Sequence, residues 1–142
     1  MAQIRHAIVI DAPLEKIYSL VATPRGLSQW WAADVTERGG GAELGFFKRA
    51  TVYRLQLERN LEPREAEWRC VTGEEWNGTR LLFNMTHSNG KTLLRFTHAN
   101  WKAESDYFVM CTTTWGGLMF RLKATAEGKA TGPLFSAEGM AY

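Results

Sequence analysis

The stretch YFVMCTTTWGGLMFRL, residues 107–122, decides the fold of this chain. Its apolar residues recur three, four and seven positions apart, which is the pattern of one face of a long amphipathic helix. Ser105 is a suitable N-cap and Asp106 favours the first helical turn, while Gly128 suits the end of the helix just after Glu127. The helical stripe consists of Phe108, Cys111, Trp115, Leu118, Met119 and Leu122.

Two adjacent glycines, Gly116 and Gly117, lie in the middle of this predicted helix. Together they lower the stability of the helix by about 1–2 kcal/mol relative to alanine. Their presence therefore predicts either a close approach of the helix to the sheet or a local bend, with Trp115 at the point of closest packing.

The chain before the helix alternates apolar and polar residues at strand period over residues 42–98. Turn signals at residues 62–64, at Gly73 and at residues 88–90 help to divide this region into an antiparallel meander of five strands. Residues 4–10 form an earlier strand, so six strands are predicted in all.

Two short helices connect the first strand to the meander. Pro13 suits the start of the first helix because its missing N–H would be unpaired there, and Pro24 ends it. The second helix is predicted over residues 25–31, and a flexible glycine loop follows at residues 39–41. A sheet followed by one long helix must bury the helical stripe against one sheet face. If the sheet curls, a small molecule fits between sheet and helix.

Length and composition argue against several classes of protein. The 142 residues match a single domain, predicted over residues 1–128, followed by a partly flexible tail over residues 129–142. This tail is either disordered or a loose strap held by Leu134 and Phe135. The net charge of +2 and the scattered basic residues argue against nucleic-acid binding. No apolar run approaches the roughly 20 residues of a membrane helix, and residues 1–6 lack the apolar core of a signal peptide.

The two cysteines, Cys70 and Cys111, both lie within apolar patterns. We expect them to be free, reduced and buried, which is typical of a cytoplasmic protein. A disulfide between them is the alternative, although two isolated cysteines do not form a framework.

Five short motifs carry a resemblance to a known family. The sequence resembles the family named for the carboxy-terminal domain of the activator of Hsp90 ATPase, within the START/Bet v 1-like superfamily. One departure is Asn100, where the family usually has glycine, and another is the tail after Gly128. The motifs are IDAPLEKIY at residues 10–18, the Trp-Trp pair ending residues 27–31, GTRLLF at 78–83, TLLRFTHANW at 92–101, and WGGL at 115–118 leading to Leu122 and Lys123.

The resemblance implies an α+β helix-grip fold: a curved antiparallel sheet wrapped around a long carboxy-terminal helix, with two short helices after the first strand. Folds of this kind serve as carriers, sensors, cyclases and co-chaperones, so the function must be argued from a site.

Catalytic and metal sites are the weaker hypotheses. The histidines His6, His87 and His98 share the parity of the apolar strand faces, but no two have the short spacing of zinc ligands. No Ser–His–Asp or Cys–His arrangement is recognisable. We therefore predict no metal and no cofactor, and we consider catalysis less favoured than binding.

The aromatic residues are the stronger signal, because six tryptophans is many for this length. They either fill the core or line a cavity between sheet and helix. Hydrogen-bonding points are expected at His6, Tyr53, Cys70, His87, His98 and Thr114, which suits an uncharged, mostly apolar ligand. The predicted ligand-binding residues are Trp30, Trp31, Tyr53, Trp68, Phe83, Met85, Phe96, His98, Trp101, Cys111 and Trp115.

Three functions follow from this reading. The first is a carrier or sensor that binds a small hydrophobic or amphipathic molecule, such as a lipid, polyketide or aromatic metabolite, without catalysis. The second, implied by the resemblance, is a co-chaperone or stress-response protein that binds a chaperone partner. The third is a cyclase-type enzyme. A homodimer is also open, through an exposed strand edge and the two short helices.

Overall fold

The computed structural model describes residues 2–129 and 131–141; the first and last residues and residue 130 of the predicted tail lie outside the described residues. Its main sheet is antiparallel and has seven strands in the order β1-β7-β6-β5-β4-β3-β2. The strands are β1 (Ala2–Ile10), β2 (Asp34–Arg38), β3 (Gly41–Phe46), β4 (Thr51–Leu61), β5 (Glu65–Cys70), β6 (Arg80–Ser88) and β7 (Lys91–Trp101). The helices are α1 (Leu14–Val21), α2 (Pro24–Trp30) and α3 (Asp106–Ala126).

The long helix α3 forms as predicted. The Ser105 hydroxyl accepts a hydrogen bond from the Phe108 amide at 3.2 Å and so caps the first turn. All six residues of the predicted stripe are buried, together with Ala126. The curved sheet, the two short helices after β1 and the gripped helix confirm the predicted helix-grip fold.

The main sheet has one strand more than the six that were predicted. The additional strand, β2, pairs with β3 in a hairpin whose turn is Gly39 and Gly40, with φ of 54° and 81°. Gly41, predicted as loop, belongs to β3, where a Cβ atom would lie 2.1 Å from the Leu55 carbonyl oxygen. Because β2 is a mostly exposed edge strand, Val35 is its only large apolar residue and the alternating pattern is missing.

The prediction of a close approach at the two helix glycines is also wrong. A Cβ atom at Gly117 would meet nothing within 4 Å, and one at Gly116 would meet only the His6 ring at 3.6 Å, an ordinary contact. The sheet therefore does not require a glycine at either position, and α3 continues through both.

Residues 131–141 pack against the rest of the chain. They contain a two-stranded hairpin, β8 (Phe135–Ser136) and β9 (Gly139–Met140). Leu134 and Phe135 are buried, and their amides donate to backbone carbonyls at the carboxy-terminal end of α2, both at 3.0 Å. Arg121 on α3 donates to three carbonyl oxygens of this segment. The division of the chain after Gly128 and the flexibility of the tail stay predictions.

The core lies between the concave face of the sheet and the three helices. The indole nitrogens of Trp30 and Trp68 donate to the carbonyls of Leu20 and Val21, each at 2.8 Å. Those carbonyls belong to the last turn of α1, which has no further helical partners for them. Trp30 of α2 and Trp68 of β5 therefore fix the end of α1 to α2 and to the sheet.

Candidate functional site

A cavity of about 230 Å³ lies between α3, the β3–β4 side of the sheet and the tail. For comparison, an apolar cavity of about 150 Å³ is enough to bind benzene. The lining comes from the end of α2, β3, β4 and the loop between them, the β5–β6 turn, α3 and the tail: Trp31, Phe46, Phe47, Thr51, Tyr53, Trp76, Tyr107, Met110, Cys111, Thr114, Trp115, Leu118, Phe135 and Met140.

Helical spacing explains the contribution of α3 to this lining. Positions 107, 110, 111, 114, 115 and 118 recur three and four apart, so they form one face directed to the cavity. Tyr53 comes from β4, where side chains alternate between the two sheet faces. Trp76 belongs to the turn between β5 and β6. That turn contains Gly73, whose φ is +97° and whose Cβ would lie 2.7 Å from the Tyr53 ring.

Aromatic rings form the wall of the cavity. Trp76 stacks on Tyr53 with ring centroids 4.1 Å apart and an interplanar angle of 3°. Trp115 lies 5.0 Å from Trp31 and 6.2 Å from Trp76, nearly parallel to the latter. Ring contacts of this kind stabilise a pair by about 0.5–1.5 kcal/mol beyond simple burial. The wall is therefore a rigid, preformed surface.

A hydrogen-bonded series behind the wall fixes two of these tryptophans. The Trp115 indole N–H donates to His98 Nδ1 at 3.1 Å, so the other ring nitrogen carries the proton. That nitrogen, Nε2, donates to the Thr79 hydroxyl at 2.8 Å, which in turn donates to the Trp76 carbonyl at 2.6 Å. Burial lowers the pKa of His98 to about 3. His98 is thus a neutral linker between Trp115 and the turn that carries Trp76.

One end of the cavity is polar. The hydroxyls of Tyr53 and Tyr107 lie 2.5 Å apart, and their shared hydrogen bond leaves one phenolic proton for another acceptor. Burial raises the pKa of both phenols and of the neighbouring Cys111 thiol, while side-chain hydrogen bonds from Trp76 and Tyr107 lower the pKa of that thiol. These groups therefore hold their protons at neutral pH and offer donors. We call Tyr53, Trp76, Tyr107 and Cys111 the polar end.

The loop between β3 and β4 borders the open side of the cavity. Residues 47–49 have φ values of 53°, 56° and 68°, a left-handed conformation that is strained for residues other than glycine. The Arg49 guanidinium holds the loop by donating to Asp34 at 2.7 Å and to Glu43. Phe47 is 52% exposed and still lines the cavity, so this side faces solvent.

Four of the predicted ligand-binding residues line this cavity: Trp31, Tyr53, Cys111 and Trp115. The other seven are buried outside its lining, because they pack against other parts of the core: Trp30 and Trp68 contact the end of α1, and Trp101 contacts Phe108 of α3. These seven are Trp30, Trp68, Phe83, Met85, Phe96, His98 and Trp101.

Among the predicted hydrogen-bonding points, only Tyr53 and Thr114 line the cavity. His6 lies outside it, with Nε2 3.2 Å from the Thr112 carbonyl oxygen. His87 is exposed, because the last three residues of β6 extend beyond the core. Cys70 is fully buried, and burial raises the pKa of its thiol to about 12. Both cysteines are free, as predicted.

The important residue that sequence reasoning missed is Trp76. It lies in the turn sequence GEEWNG, which has no strand or helix period. The signal available was the residue type itself, since a tryptophan among acidic and turn residues exposes a large apolar area unless the turn folds over the core. Phe46, Tyr107 and Phe135 are further lining residues absent from the predicted set.

The chemistry open to this site is binding and hydrogen-bond donation. Among the described residues, the lining has no charged side chain and no histidine that could take a proton. The described residues also contain no group of three His, Cys, Asp or Glu side chains placed to hold a metal. Of the helices in the described chain, none has the length and hydropathy needed to cross a membrane.

The gripped helix, the strand order and the internal cavity define a protein of the START/Bet v 1-like class. The solution structure of the Aha1 dimer from Colwellia psychrerythraea is 30% identical in sequence, with a TM-score of 0.78 over 90% of this chain and 98% of that one. The chain therefore belongs to the Aha1-like family, named for the activator of Hsp90 ATPase, as its motifs predicted. No protein-family model and no curated protein sequence matches it.

Two other solved structures share the fold alone. The protein SSP2350 from Staphylococcus saprophyticus is 16% identical, with a TM-score of 0.72, and the match covers 94% of this chain and 98% of that one. CalU16 from Micromonospora echinospora is 17% identical, with a TM-score of 0.66 and coverage of 89% and 85%.

Proposed function

We propose that this protein binds a small, uncharged, mostly apolar molecule in the cavity behind α3 and acts as a carrier or sensor without transforming it. The observation that supports the proposal is the cavity itself: an aromatic wall, a polar end with protonated donors and an open side, in a volume of about 230 Å³. Cavities with an apolar lining and a few polar groups are the usual small-molecule sites of proteins. The volume suits one or two fused rings or a short chain.

A ligand screen by thermal shift and native mass spectrometry tests this proposal. A matched pair of variants locates the site: Thr114→Phe fills the cavity, whereas Thr86→Phe adds the same ring at an exposed position of β6, away from the cavity. We expect Thr114→Phe to weaken binding at least tenfold and Thr86→Phe to leave it unchanged. Failure of every ligand in an apolar and aromatic library to bind, or equal binding by both variants, would overturn the proposal. Recovery of the ligand unchanged supports the carrier or sensor role, and recovery of a product would make the protein an enzyme.

A second candidate, binding to a chaperone of the Hsp90 type, is favoured by one observation: the family to which the chain belongs. It predicts a complex with purified Hsp90 and an altered rate of ATP hydrolysis. If neither a complex nor a changed rate is found at micromolar concentrations, the family relationship extends to the fold and not to this role.

Self-association is a further part of the proposal, and it rests on the outer face of α3. No charged residue occurs between Asp106 and Arg121, although the outward face of a surface helix normally carries charges. Val109 and Phe120 on this face are 56% and 69% exposed, and Met110, which lies at the edge of the face and also lines the cavity, is 64% exposed. Such an apolar patch is typical of an interaction surface.

A second copy of the chain fits this outer face by its symmetry. Bulky residues lie at both ends and small residues, Thr113 and Gly117, lie between them. An antiparallel pair of these helices would place Val109 and Met110 against the partner's Phe120, with small residues at the crossing. The related Colwellia protein was solved as a dimer.

Analytical ultracentrifugation of wild type and two variants tests the dimer. We expect Phe120→Glu to weaken self-association at least tenfold. The control is Leu61→Glu, which changes a residue that is 48% exposed at the end of β4, and it should remain dimeric. A wild-type protein that is monomeric at 100 micromolar, or a dimer that tolerates Phe120→Glu, contradicts this arrangement.

A further inference from the structure

We propose that the carboxy-terminal segment is a lid on the cavity, and that small uncharged molecules enter and leave when this lid separates from the loop between β3 and β4. We call residues 131–141 the strap. The inference rests on the proposed function, because it concerns access to the same cavity, and it adds the part of the chain that controls this access.

The strap closes part of the cavity with two of its side chains. Phe135 and Met140 line the cavity. The Phe135 ring meets Phe46 and Phe47 edge to face, with ring centroids 5.0 and 5.7 Å apart. Phe47 belongs to the loop that borders the open side of the cavity, so the contact between Phe47 and Phe135 narrows the opening. Separation of these two rings would widen it.

A second cavity of about 230 Å³ lies between the strap, the start of β2 and the same loop. Its lining includes Asp34 and Ser136, and it shares Phe47 and Phe135 with the first cavity. Protein interiors are normally close-packed, with few voids larger than a water molecule. Because both cavities border the Phe135 ring, this ring has room to move that a side chain of the core does not have.

Part of what holds the strap is exposed to water. Arg121 on α3 donates to the carbonyls of Thr131 and Gly132 at 2.9 and 3.2 Å and also to that of Ala141, and these three hydrogen bonds are exposed. The hairpin within the strap has strands of two residues each, and an isolated hairpin is at best marginally stable in water. A segment held in this way can open while the rest of the domain stays folded.

The middle of the strap is attached more firmly than its ends. The amides of Leu134 and Phe135 donate to the last carbonyls of α2, both at 3.0 Å, and the Ala33 amide donates to the Phe135 carbonyl at 2.9 Å. Arg121 holds the residues on either side of this attachment. Loss of the arginine therefore leaves a strap that still closes over the cavity but opens more often.

Alkylation of Cys111 by N-ethylmaleimide, a small uncharged molecule, measures entry into the cavity. Cys111 lines the cavity and is only 7% exposed, whereas Cys70 is fully buried and lies outside the lining. Modification of Cys111 alone therefore reports opening of the cavity, and modification of Cys70 reports unfolding of the domain. Mass spectrometry of peptides separates the two rates.

Two variants of the full chain weaken the lid in different ways. We expect Arg121→Ala to accelerate alkylation of Cys111 about tenfold, because three hydrogen bonds to the strap disappear. Phe135→Ala keeps the backbone hydrogen bonds of the strap and removes the ring at the opening, so it should accelerate alkylation of Cys111 by about threefold or more. Neither variant should change the rate at Cys70.

The matched control is Arg59→Ala. It removes another exposed arginine hydrogen bond, on β4 and outside the lining of both cavities. Alkylation of Cys111 and of Cys70 should both keep their wild-type rates in this variant. An acceleration at Cys111 equal to that in Arg121→Ala would overturn the inference, because the effect would then not come from the strap.

The remaining results separate the lid from the proposed function. If Arg121→Ala and Phe135→Ala both leave the rate at Cys111 unchanged, the strap is a fixed wall and the inference is wrong. Equal acceleration at Cys111 and Cys70 also overturns it, because the whole domain is then loosened. A ligand found in the screen together with unchanged alkylation leaves the carrier or sensor without a lid. Faster alkylation of Cys111 alone supports the lid even if no ligand binds, in which case the proposed function fails by itself.

Discussion

Acidification from pH 7 to pH 5 should destabilise this protein through one buried side chain, His98. An unfolded histidine has a pKa of 6.5, and burial lowers the pKa of His98 in the folded state to about 3. Below pH 6.5 the unfolded chain therefore takes up a proton that the folded chain does not. The stability contributed by the neutral ring is complete above pH 6.5 and is lost as the pH falls towards 3. Linkage gives a loss of about 2 kcal/mol between pH 7 and pH 5.

Urea unfolding of three proteins at pH 7 and pH 5 measures this loss. Between pH 7 and pH 5 the unfolding free energy of the wild type should fall by about 2 kcal/mol because of His98. The unfolding free energy of His98→Gln should fall by about 2 kcal/mol less than that of the wild type over the same interval. His98→Gln will also be less stable at pH 7, because Trp115 and Thr79 lose hydrogen-bond partners. The control His87→Gln removes an exposed imidazole and should keep the wild-type difference.

The pH interval is chosen to separate His98 from the ion-paired carboxylates. Glu58 is one example: hydrogen bonds and charge from Arg80 and Arg69 lower its pKa from 4.5, so protonation affects it mainly below pH 5. An equal loss in wild type and His98→Gln would refute the reasoning. Should His98→Gln fail to fold, nitrogen NMR of the wild type decides, because a charged His98 ring in the folded protein at pH 5 contradicts the depressed pKa.

Three further expectations follow from the hydrogen bonds and the backbone. Thr79→Val should lower the unfolding free energy, measured in urea, by about 2 kcal/mol, because the buried His98 donor loses its acceptor. Thr79→Ser keeps the hydroxyl and should lower the unfolding free energy clearly less. Equal losses in the two variants would contradict this role of the hydroxyl. Gly117→Ala should raise the unfolding free energy of the monomer by about 0.5–1 kcal/mol, measured at a protein concentration below that of the proposed self-association, since its Cβ enters open space on a helix of the single chain. A loss of stability in the monomer would mean that this position is constrained. Arg121→Ala should accelerate hydrogen exchange of the Leu134 amide about tenfold, because three hydrogen bonds from Arg121 to the tail disappear. An unchanged exchange rate would show that the tail is held without these hydrogen bonds.

The helices and strands that bury only one of their faces could be predicted from the sequence. The stripe of α3 and the alternation of β4 to β7 each place apolar side chains on one face, and this periodicity is visible in the sequence. The edge strand β2 escaped detection because only Val35 among its residues is both large and apolar. The Gly116–Gly117 pair gave a wrong prediction for a different reason. The sequence shows that these two positions have no side chain, but it does not show whether the neighbouring residues would leave room for one. Only the packed structure shows that there is room.

The cavity was less predictable than the sheet. Strand parity shows that Trp68 or Phe83 faces the concave side, but the position of a residue along that side decides whether it meets the packed α1–α2 layer or open volume. Trp76 and Phe135 lie in a turn and in the tail, which have no period from which to predict burial. Their roles depend on contacts between residues distant in the sequence.

The crowding of indoles around the cavity gives the protein an optical property. Trp31, Trp76 and Trp115 all line the cavity, and the rings of Trp31 and Trp115 are 5.0 Å apart. Chromophores this close couple electronically, so their near-ultraviolet circular dichroism and emission depend on small changes in ring geometry and surroundings. A molecule that enters the cavity must touch at least part of this group. The protein therefore carries its own unlabelled reporter of occupancy, located at the surface where a ligand would lie.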